Sequence, residues 1–283
     1  DVRVERPLGL PMMSVRPDRA RLARYGVSTD EVLTAVEASR QGSHVGFVFE
    51  DQRRYQLRVT MPPAEITTEG FSRLPIGLSN GELVPLGQVA DVRQCVTMDL
   101  KQPGHLIYLV GNTRDELAGS HFEMIRGAGC LAIDECGSEV PRVDGALAKR
   151  TFAAMHQAIK TGQVRACHDL SEGGLAVALA EMAFAGNCGA RIRLIEAPTD
   201  IPPGERTEHF ESILLYSESN TRFLVEVPPT KQLAFETTLQ GIPHAHIGEV
   251  TETGCLQIAG KAGLLVDANL AELKEAWQKP LRW

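Results

Sequence analysis

The sequence contains no C-x-x-C pair and no cysteine/histidine cluster at zinc-ligand spacing, which argues against a built-in structural metal site. No apolar run approaches the ~18 residues of a membrane span, so no span is expected. Positive charge is in deficit: 29 Lys and Arg stand against 36 Asp and Glu, for a formal net charge of -7. That balance argues against a nucleic-acid-binding surface, and no nucleic-acid partner is expected. The opening Asp1-Val2-Arg3-Val4-Glu5-Arg6 is neither a signal peptide nor an initiator Met, so a fragment or processed product is expected. The first 94 residues hold no cysteine. Cys95, Cys130, Cys136, Cys167, Cys188 and Cys255 are scattered singly, as suits a reducing cytoplasm, and leave the compartment of the first segment unmarked. What is present is ordinary globular material. Hydrophobic residues are 43% of 283, enough for a real core and about two domains.

In the first segment, Leu10 to Val15 reads as a strand and Arg16 to Tyr25 as a charged helix stopped by Gly26. Ser28-Thr29-Asp30-Glu31 forms a capping box, with Val27 and Val32 at the staple positions, and predicts a helix to about Gln41 with Gly42 as its stop. Tyr55, Leu57, Val59 and Met61 alternate with polar residues and predict a half-buried strand. Val45 to Phe49 should pair with it across Glu50 to Arg53. Asn80-Gly81 signals a hairpin with a tight primed turn. The segment reads as strand, two helices, hairpin, short helix, hairpin. His44, in a turn, is expected to be structural or solvated. Met12 and Met13 point to opposite faces and make a poor shared metal site.

In the second segment, Leu106 to Val110 predicts a strand ending at Gly111, and Asp115 to Ile125 a helix. Asp144 to Lys160 predicts another helix, with Ala148, Phe152, Met155 and Ile159 on one face. Val164 to Cys167 is a short strand. Leu175, Ala178, Leu179 and Met182 then line a helix closed by Gly186. Arg191–Ile195, Ile213–Tyr216, Phe223–Val227, His246–Val250, Leu256–Ile258 and Leu264–Val266 read as strands. Pro198 to Glu208 is a loop, and helices span Lys231–Leu239 and the end from Leu270. Alternating strands and helices define an α/β or layered α+β domain.

The chemistry concentrates in Cys167-His168-Asp169-Leu170-Ser171-Glu172-Gly173-Gly174-Leu175. Asp169 supplies a hard oxygen ligand suited to magnesium. The Ser171 hydroxyl can donate to a phosphate oxygen. Gly173 and Gly174 permit close backbone approach, and the helix start offers free N–H groups and a positive dipole end. The same residues also suit a plain helix start, with Ser171 as cap and Asp169 compensating the dipole. Residue chemistry alone leaves both readings open. Cys167 and His168 face opposite ways on a strand, so no catalytic dyad is expected. Glu218 and Arg222 bracket a polar loop that reads either as an anion-binding loop or as a hairpin with an internal ion pair. Gly119-Ser120-His121 at a helix start is a weaker candidate.

Two resemblances sharpen these readings. Asp1-Val2-Arg3-Val4-Glu5, Gly9-Leu10-Pro11, Asp18 to Gly26, Val48-Phe49-Glu50, Leu74-Pro75-Ile76 and Val84 to Ala90 resemble the second periplasmic loop of heavy-metal efflux pumps of the resistance-nodulation-division family. This likeness covers residues 1–92. It implies a porter/docking fragment that touches neighbouring protomers and an adaptor or outer-membrane partner. The pumps' membrane helices, proton-relay carboxylates and metal-binding methionines belong to other parts of that family's chain.

From about Gln94 to the end, the chain resembles the C-terminal domain of phosphoribosylformylglycinamidine synthases, in the aminoimidazole-ribonucleotide-synthetase-like superfamily. The likeness rests on Thr97 to Gly104, Leu109 to Leu117, Gly119-Ser120-His121, Val140 to Asp144, the Asp169 motif, Glu181 to Gly186 and Glu218 to Phe223. Ala118 stands where that family usually has a glycine. The resemblance implies ATP- and magnesium-dependent, glutamine-using conversion of formylglycinamide ribonucleotide to its amidine. It carries a magnesium contact over to Asp169 and a nucleotide contact to Ser171, and places the catalytic histidine and glutaminase cysteine in other domains or subunits.

The two likenesses abut near Arg93-Gln94 without a Gly/Ser/Pro linker. The expectation is a composite of two α+β and α/β units, an efflux-pump porter/docking-like fragment at 1–93 and a synthetase C-terminal-like domain at 94–283. The larger part is expected to be cytoplasmic and inactive alone, to bind ATP or ADP with Mg2+, and to partner the remaining synthetase domains or subunits. Its alternative is a periplasmic interaction module of an efflux pump, with the second part a passenger.

Overall fold

The computed structural model describes residues 12–40, 43–50, 53–59, 68–78, 81–127, 139–206 and 208–281. Its contacts divide the described chain into two units, one of Met12–Cys95 and one from Val96 onward.

In the first unit, β1 (Met12–Pro17) leads into α1 (Arg19–Tyr25), because the Asp18 side chain accepts from the N–H groups of Ala20 and Arg21 and caps the helix. The expected start at Arg16 is therefore three residues early: Arg16 and Pro17 pair with β6 (Ala90–Cys95) instead. Gly26 closes α1 at φ 65°. Before α2 (Thr29–Arg40), Ser28 N–H donates to Glu31 at 2.7 Å and Glu31 N–H donates back to the Ser28 hydroxyl at 3.2 Å, which is the reciprocal capping box. Val27 and Val32 are both buried beside it. Strands β2 (Ser43–Glu50) and β3 (Arg53–Val59) form the expected antiparallel hairpin, with His44 in the strand rather than in a turn. Gln41 and Gly42 lie outside the described residues, as do Leu10 and Pro11. After α3 (Thr68–Ser72), β4 (Pro75–Gly77) pairs with β5 (Leu83–Pro85). The tight turn expected at Asn80-Gly81 lies partly outside the described residues, Asn80 being among those left out. Strand β6, preceded by α4 (Leu86–Val89), has no counterpart in the sequence reading; it pairs with β1 across Met12↔Cys95 to Pro17↔Ala90. Leu22, Val27, Val32, Ile76, Val84, Leu86 and Val89 form the core.

The second unit is built on a seven-stranded mixed sheet of order β13-β12-β9-β11-β7-β10-β8. Its strands are β7 (Leu106–Val110), β8 (Ala166–Asp169), β9 (Gly189–Arg193), β10 (Phe223–Val227), β11 (His244–Thr251), β12 (Cys255–Ala259) and β13 (Leu264–Asn269). Only β9 and β12 run parallel; the other neighbours are antiparallel. Strand alternation sends apolar side chains to both faces. Ile107, Leu109, Leu224, Ile247 and Ile258 pack with Leu175, Leu179 and Met182 of α7 (Gly174–Gly186) and with α8 (Phe210–Tyr216) and α10 (Leu270–Gln278). Tyr108, Val110, Val225 and Val227 meet Met155 and Ala158 of α6 (Gly145–Lys160) and Phe235 of α9 (Gln232–Thr238). The result is an α/β/α layering. Among the described residues no helix is long and apolar enough to cross a membrane.

Several expectations change. Ile213–Tyr216 is helix α8 rather than a strand, because a four-residue apolar run carries no period that separates the two. The helix expected from Asp115 begins only at His121, as α5 (His121–Gly127), with the Ser120 hydroxyl accepting from Glu123 N–H at 3.2 Å. On α6 the buried face is Ala148, Thr151, Met155 and Ala158; Phe152 is 53% exposed. Gly186 does not close α7, since the left-handed cap is Asn187 at φ 51°. Gly186 is required by packing: a Cβ there would lie 2.0 Å from the Leu100 carbonyl oxygen.

Gly186→Ala is therefore expected to destabilise the second unit by about 2 kcal/mol through overpacking against backbone. Gly145→Ala, where a Cβ meets nothing within 4 Å, is expected to be neutral or slightly stabilising. Urea unfolding of the two variants checks the contrast, and equal midpoints would refute it.

Candidate functional site at the ends of three strands

Val110, Phe223 and Asp169 are aligned across β7, β10 and β8, so Gly111, Arg222 and Leu170 follow one another at the same end of the sheet. Gly111 sits at φ 94°, and a Cβ there would come within 2.5 Å of the Thr221 carbonyl oxygen. Only glycine allows this approach. Arg222 is 1% exposed. Its Nε donates to Ser219 O at 2.9 Å, one terminal nitrogen donates to the Thr113 hydroxyl at 3.0 Å, and the other donates to Ser217 O. Burial pulls its pKa down to about 10, opposed by the charges of Glu116 and Glu218. The loop so gripped contains Thr221 at φ 63°, a β-branched residue in the left-handed region, where its backbone is strained.

The segment between α8 and β10 is thus a helix-to-strand loop and not the expected hairpin. Among the described residues no ion pair joins Glu218 to Arg222. Glu218 turns away: its Oε1 accepts from Gly173 N–H at 2.8 Å and His121 N–H at 3.1 Å, and His121 Nδ1 is 3.6 Å distant. One carboxylate therefore ties the starts of α5 and α7 together. The loop supplies an anion to those two N–H groups.

The motif at Asp169 departs from the helix-cap reading of its serine. Gly173, not Ser171, occupies the cap position of α7, and no side chain caps that helix. Gly173 and Gly174 take φ 77° and 62°. Added Cβ atoms would strike Val177 at 2.3 Å and Ser217 O at 2.5 Å, so internal packing explains both glycines. The first donor of the helix start is already taken by Glu218. Asp169 and Ser171 both lie exposed on the strand-to-helix turn, the Asp169 side chain at 73%, with His168 Nδ1 3.5 Å from its Oδ1. His168 Nε2 lies 2.7 Å from Glu181 Oε2. Cys167 points the other way, and burial first, then the Asp169 charge, pushes its thiol up to about 12. The pair is no thiolate–imidazole dyad.

These donors define what metal they suit. Among the described residues no group of three or more His, Cys, Asp or Glu side chains is placed to hold an ion. One exposed carboxylate and one exposed hydroxyl do not make a protein cage. They fit magnesium that arrives on phosphate oxygens and needs only one or two protein oxygens.

Among the buried polar groups that escaped the sequence reading is one charge in the middle of the sheet. Glu226, fully buried on β10, accepts from Lys101 N–H at 2.7 Å and Gln102 N–H at 3.2 Å, and lies 2.6 Å from His105 Nδ1. Burial raises its pKa, and those hydrogen bonds oppose the rise. A single charge inside Phe223-Leu224-Val225-Glu226-Val227 was the available signal. Its role is to anchor the Lys101–His105 segment to the sheet.

Fold and site together define a layered α/β domain with a polar, strand-end turn on which Asp169, Ser171 and Glu172 are exposed. The chain belongs to the family described as AIR synthase related protein, C-terminal domain, whose model matches residues 102–261. Residues 1–99 match the AcrB/AcrD/AcrF family model. Over 200 residues the chain is 33% identical to the phosphoribosylformylglycinamidine synthase subunit PurL of Alkaliphilus metalliredigens (strain QYMF), covering 70% of this chain and 24% of that protein. The chain therefore spans about a quarter of the length of that curated relative. Among solved structures, Thermotoga maritima PurL complexed with FGAR matches at TM-score 0.55 and 22% identity, over 65% of this chain and 30% of that one. PurLQS from Thermotoga maritima matches at TM-score 0.51 and 22% identity, over 65% and 29%. These structural likenesses establish the fold.

Arg222→Met is expected to destabilise the second unit by about 3 kcal/mol, because three acceptors lose their donor inside the protein. Arg222→Lys recovers only part of the loss, lacking the planar fork. Chemical denaturation checks both, and an unchanged midpoint for Arg222→Met would contradict the gripping role. In the native protein at pH 8, Cys167 is expected to react slowly with iodoacetamide, being protonated and half-buried, and to react faster after denaturation; mass spectrometry reads the difference.

Proposed function

We propose that residues 94–283 serve as the C-terminal domain of an ATP-dependent, glutamine-using C–N ligase that converts formylglycinamide ribonucleotide to its amidine. Residues 1–93 form a separate efflux-pump-like unit. The single observation that carries the proposal is the coincidence of the family match with an exposed acid, Asp169, at the strand end where α7 begins. In this reading Asp169 contributes one oxygen to a magnesium ion held on nucleotide phosphates, and Ser171 donates to a phosphate oxygen. The bound magnesium supplies charge neutralisation for the phosphates. The chain's own residues bind and orient.

The position of Glu218 refines the pose. Phosphates do not sit on the Gly173 N–H, which a carboxylate already holds, but on the solvent side of the Asp169–Ser171 turn. This domain is one wall of an assembly, and the catalytic groups belong to the other synthetase domains or subunits, its partners. We assign no catalytic residue to the chain. The cytoplasm is the compartment this function requires. The match of residues 1–99 to the AcrB/AcrD/AcrF model supports a second reading for that unit alone, an interaction module toward an efflux adaptor or neighbouring protomer.

Calorimetric titration of the chain with ATP, in the presence of Mg2+ and then of excess chelator, tests the reading. Binding is expected to require Mg2+ and to weaken by about tenfold or more in Asp169→Ala, the loss of one charge-assisted contact of ~1.5–3 kcal/mol. Ser171→Ala is expected to lose less, as a neutral hydrogen bond does. Unchanged binding in Asp169→Ala would overturn the assignment.

A further inference from the structure

Helix α6 carries Lys149, Arg150 and Lys160 and no Asp or Glu, in a chain that holds 36 acids against 29 Lys and Arg. Its inner side, with Ala148, Met155 and Ala158, is buried. The 3.6-residue period then gathers Lys149, Phe152, Ala153, His156 and Lys160 on the outer side, and all five are exposed. Lys149 to Lys160 spans roughly 16 Å along the axis. A helix face that meets only water usually interleaves acids and bases three or four residues apart. The residues at those distances from Lys149 are Gly145, Ala146, Phe152 and Ala153, none of which can pair with it. Among the described residues no ion pair or side-chain hydrogen bond engages Lys149, His156 or Lys160. Lys160 serves the carbonyl end of the helix, where a cation is favourable, whereas Lys149 stands in the second turn and gains nothing there. Phe152 is 53% exposed, and its ring meets Phe223 edge to face at 5.9 Å. The ring is thus held on one side and open on the other.

We propose that the outer face of α6 is a docking surface for an acidic segment of a partner protein, whose carboxylates meet Lys149 and Lys160 and whose apolar notch takes Phe152. Cations without internal partners are complemented by negative charge on the occupant, and covering them with anything else strips their water without return. One large ring between two cations matches the anatomy of protein interfaces, an aromatic anchor at the centre and charges at the rim. Two other polyanionic occupants fit less well. The chain as a whole carries a formal charge of -7, which repels an extended nucleic acid beyond the strip itself. A membrane surface takes up a helix through its apolar face, and that face of α6 is already buried against the sheet. The proposal does not depend on nucleotide at Asp169, because α6 covers the sheet face opposite α7.

The probe is a pair of synthetic helical peptides of about four turns, long enough to match the strip. One carries glutamates near both ends of a Leu/Ala notch, and the other carries glutamine at the same positions. Binding to the full chain is read by fluorescence anisotropy and by backbone amide shifts. The acidic peptide is expected to bind at least about tenfold more tightly than the glutamine peptide, and to lose about tenfold in affinity as salt rises from about 50 to 500 mM. The double variant Lys149→Glu, Lys160→Glu is expected to lose about tenfold or more. Phe152→Ala is expected to lose about fivefold while keeping the salt dependence. Both variants are expected to keep the thermal midpoint, since the altered side chains are exposed. In the unaltered chain the shifted amides are expected to centre on Lys149–Lys160, and shifts centred elsewhere overturn the proposal whatever the variants do. No binding of the acidic peptide at millimolar concentration, equal binding of the two peptides, or equal binding by the double variant overturns it as well. Anionic lipid vesicles or single-stranded RNA bound more tightly than the acidic peptide, and released in the double variant, give the strip a different occupant and overturn it too.

Discussion

A guanidinium with no access to water must find oxygen acceptors inside the protein, and at Arg222 it finds three: Ser217 O, Ser219 O and the Thr113 hydroxyl. Much of the strand-end site follows from that requirement. The acceptors lie on the Ser217–Ser219 stretch and beside the end of β7, so satisfying Arg222 binds the loop entering β10 to the neighbouring strand end. The loop must bend sharply to deliver them, and Thr221 takes the strained conformation that the bend imposes. Gly111 must lack a side chain because the bent loop passes directly over it. Glu218, carried by the same loop, reaches the starts of α5 and α7. The turn bearing Asp169 and Ser171 is fixed next to this assembly by Leu170 N–H donating to Arg222 O at 3.1 Å.

The carboxylates of the site divide into two kinds. Glu218 and Glu226 are spent on backbone N–H groups and build structure. Asp169 stands in solvent with one imidazole neighbour and remains available. A nucleotide phosphate carries its own negative charge, and it is repelled from a helix start that Glu218 already neutralises. Charge alone therefore moves the expected phosphate position off the Gly173-Gly174 backbone and toward a cation shared with Asp169. A site made this way, with few protein oxygens and an open solvent side, suits one wall of a shared cleft.

The legible parts of the sequence were those whose physics is local. Ser28 and Glu31 are three residues apart, and their reciprocal hydrogen bonds need nothing else. The alternation at Tyr55–Val59 and the apolar face of Leu175, Ala178, Leu179 and Met182 likewise report their own elements. Asp169 drew notice in the sequence because an acid before a glycine pair is a compact signal. What stayed hidden depends on distant partners. The donors that fix Glu218 lie 45 and 97 residues away. Gly186 reads as a helix stop until the Leu100 backbone is seen against it. Ile213–Tyr216 carries an apolar run too short to show a period, and only its packing against α7 makes it a helix. Strand β6 was unread because its partner, β1, lies nearly eighty residues earlier in the chain.

The central claim is that metal-bound nucleotide meets this chain at the Asp169–Ser171 turn and nowhere on the Gly173–Glu218 contact. Paramagnetic broadening of backbone amide resonances by Mn2+ with ATP tests it most directly, because the effect falls steeply with distance from the ion. The account predicts that the amides of Asp169, Leu170 and Ser171 broaden first, while the Gly173 amide keeps the hydrogen-bonded shift set by Glu218. Broadening centred elsewhere in the second unit, or a Gly173 amide that loses its Glu218-bonded shift as nucleotide is added, would contradict it.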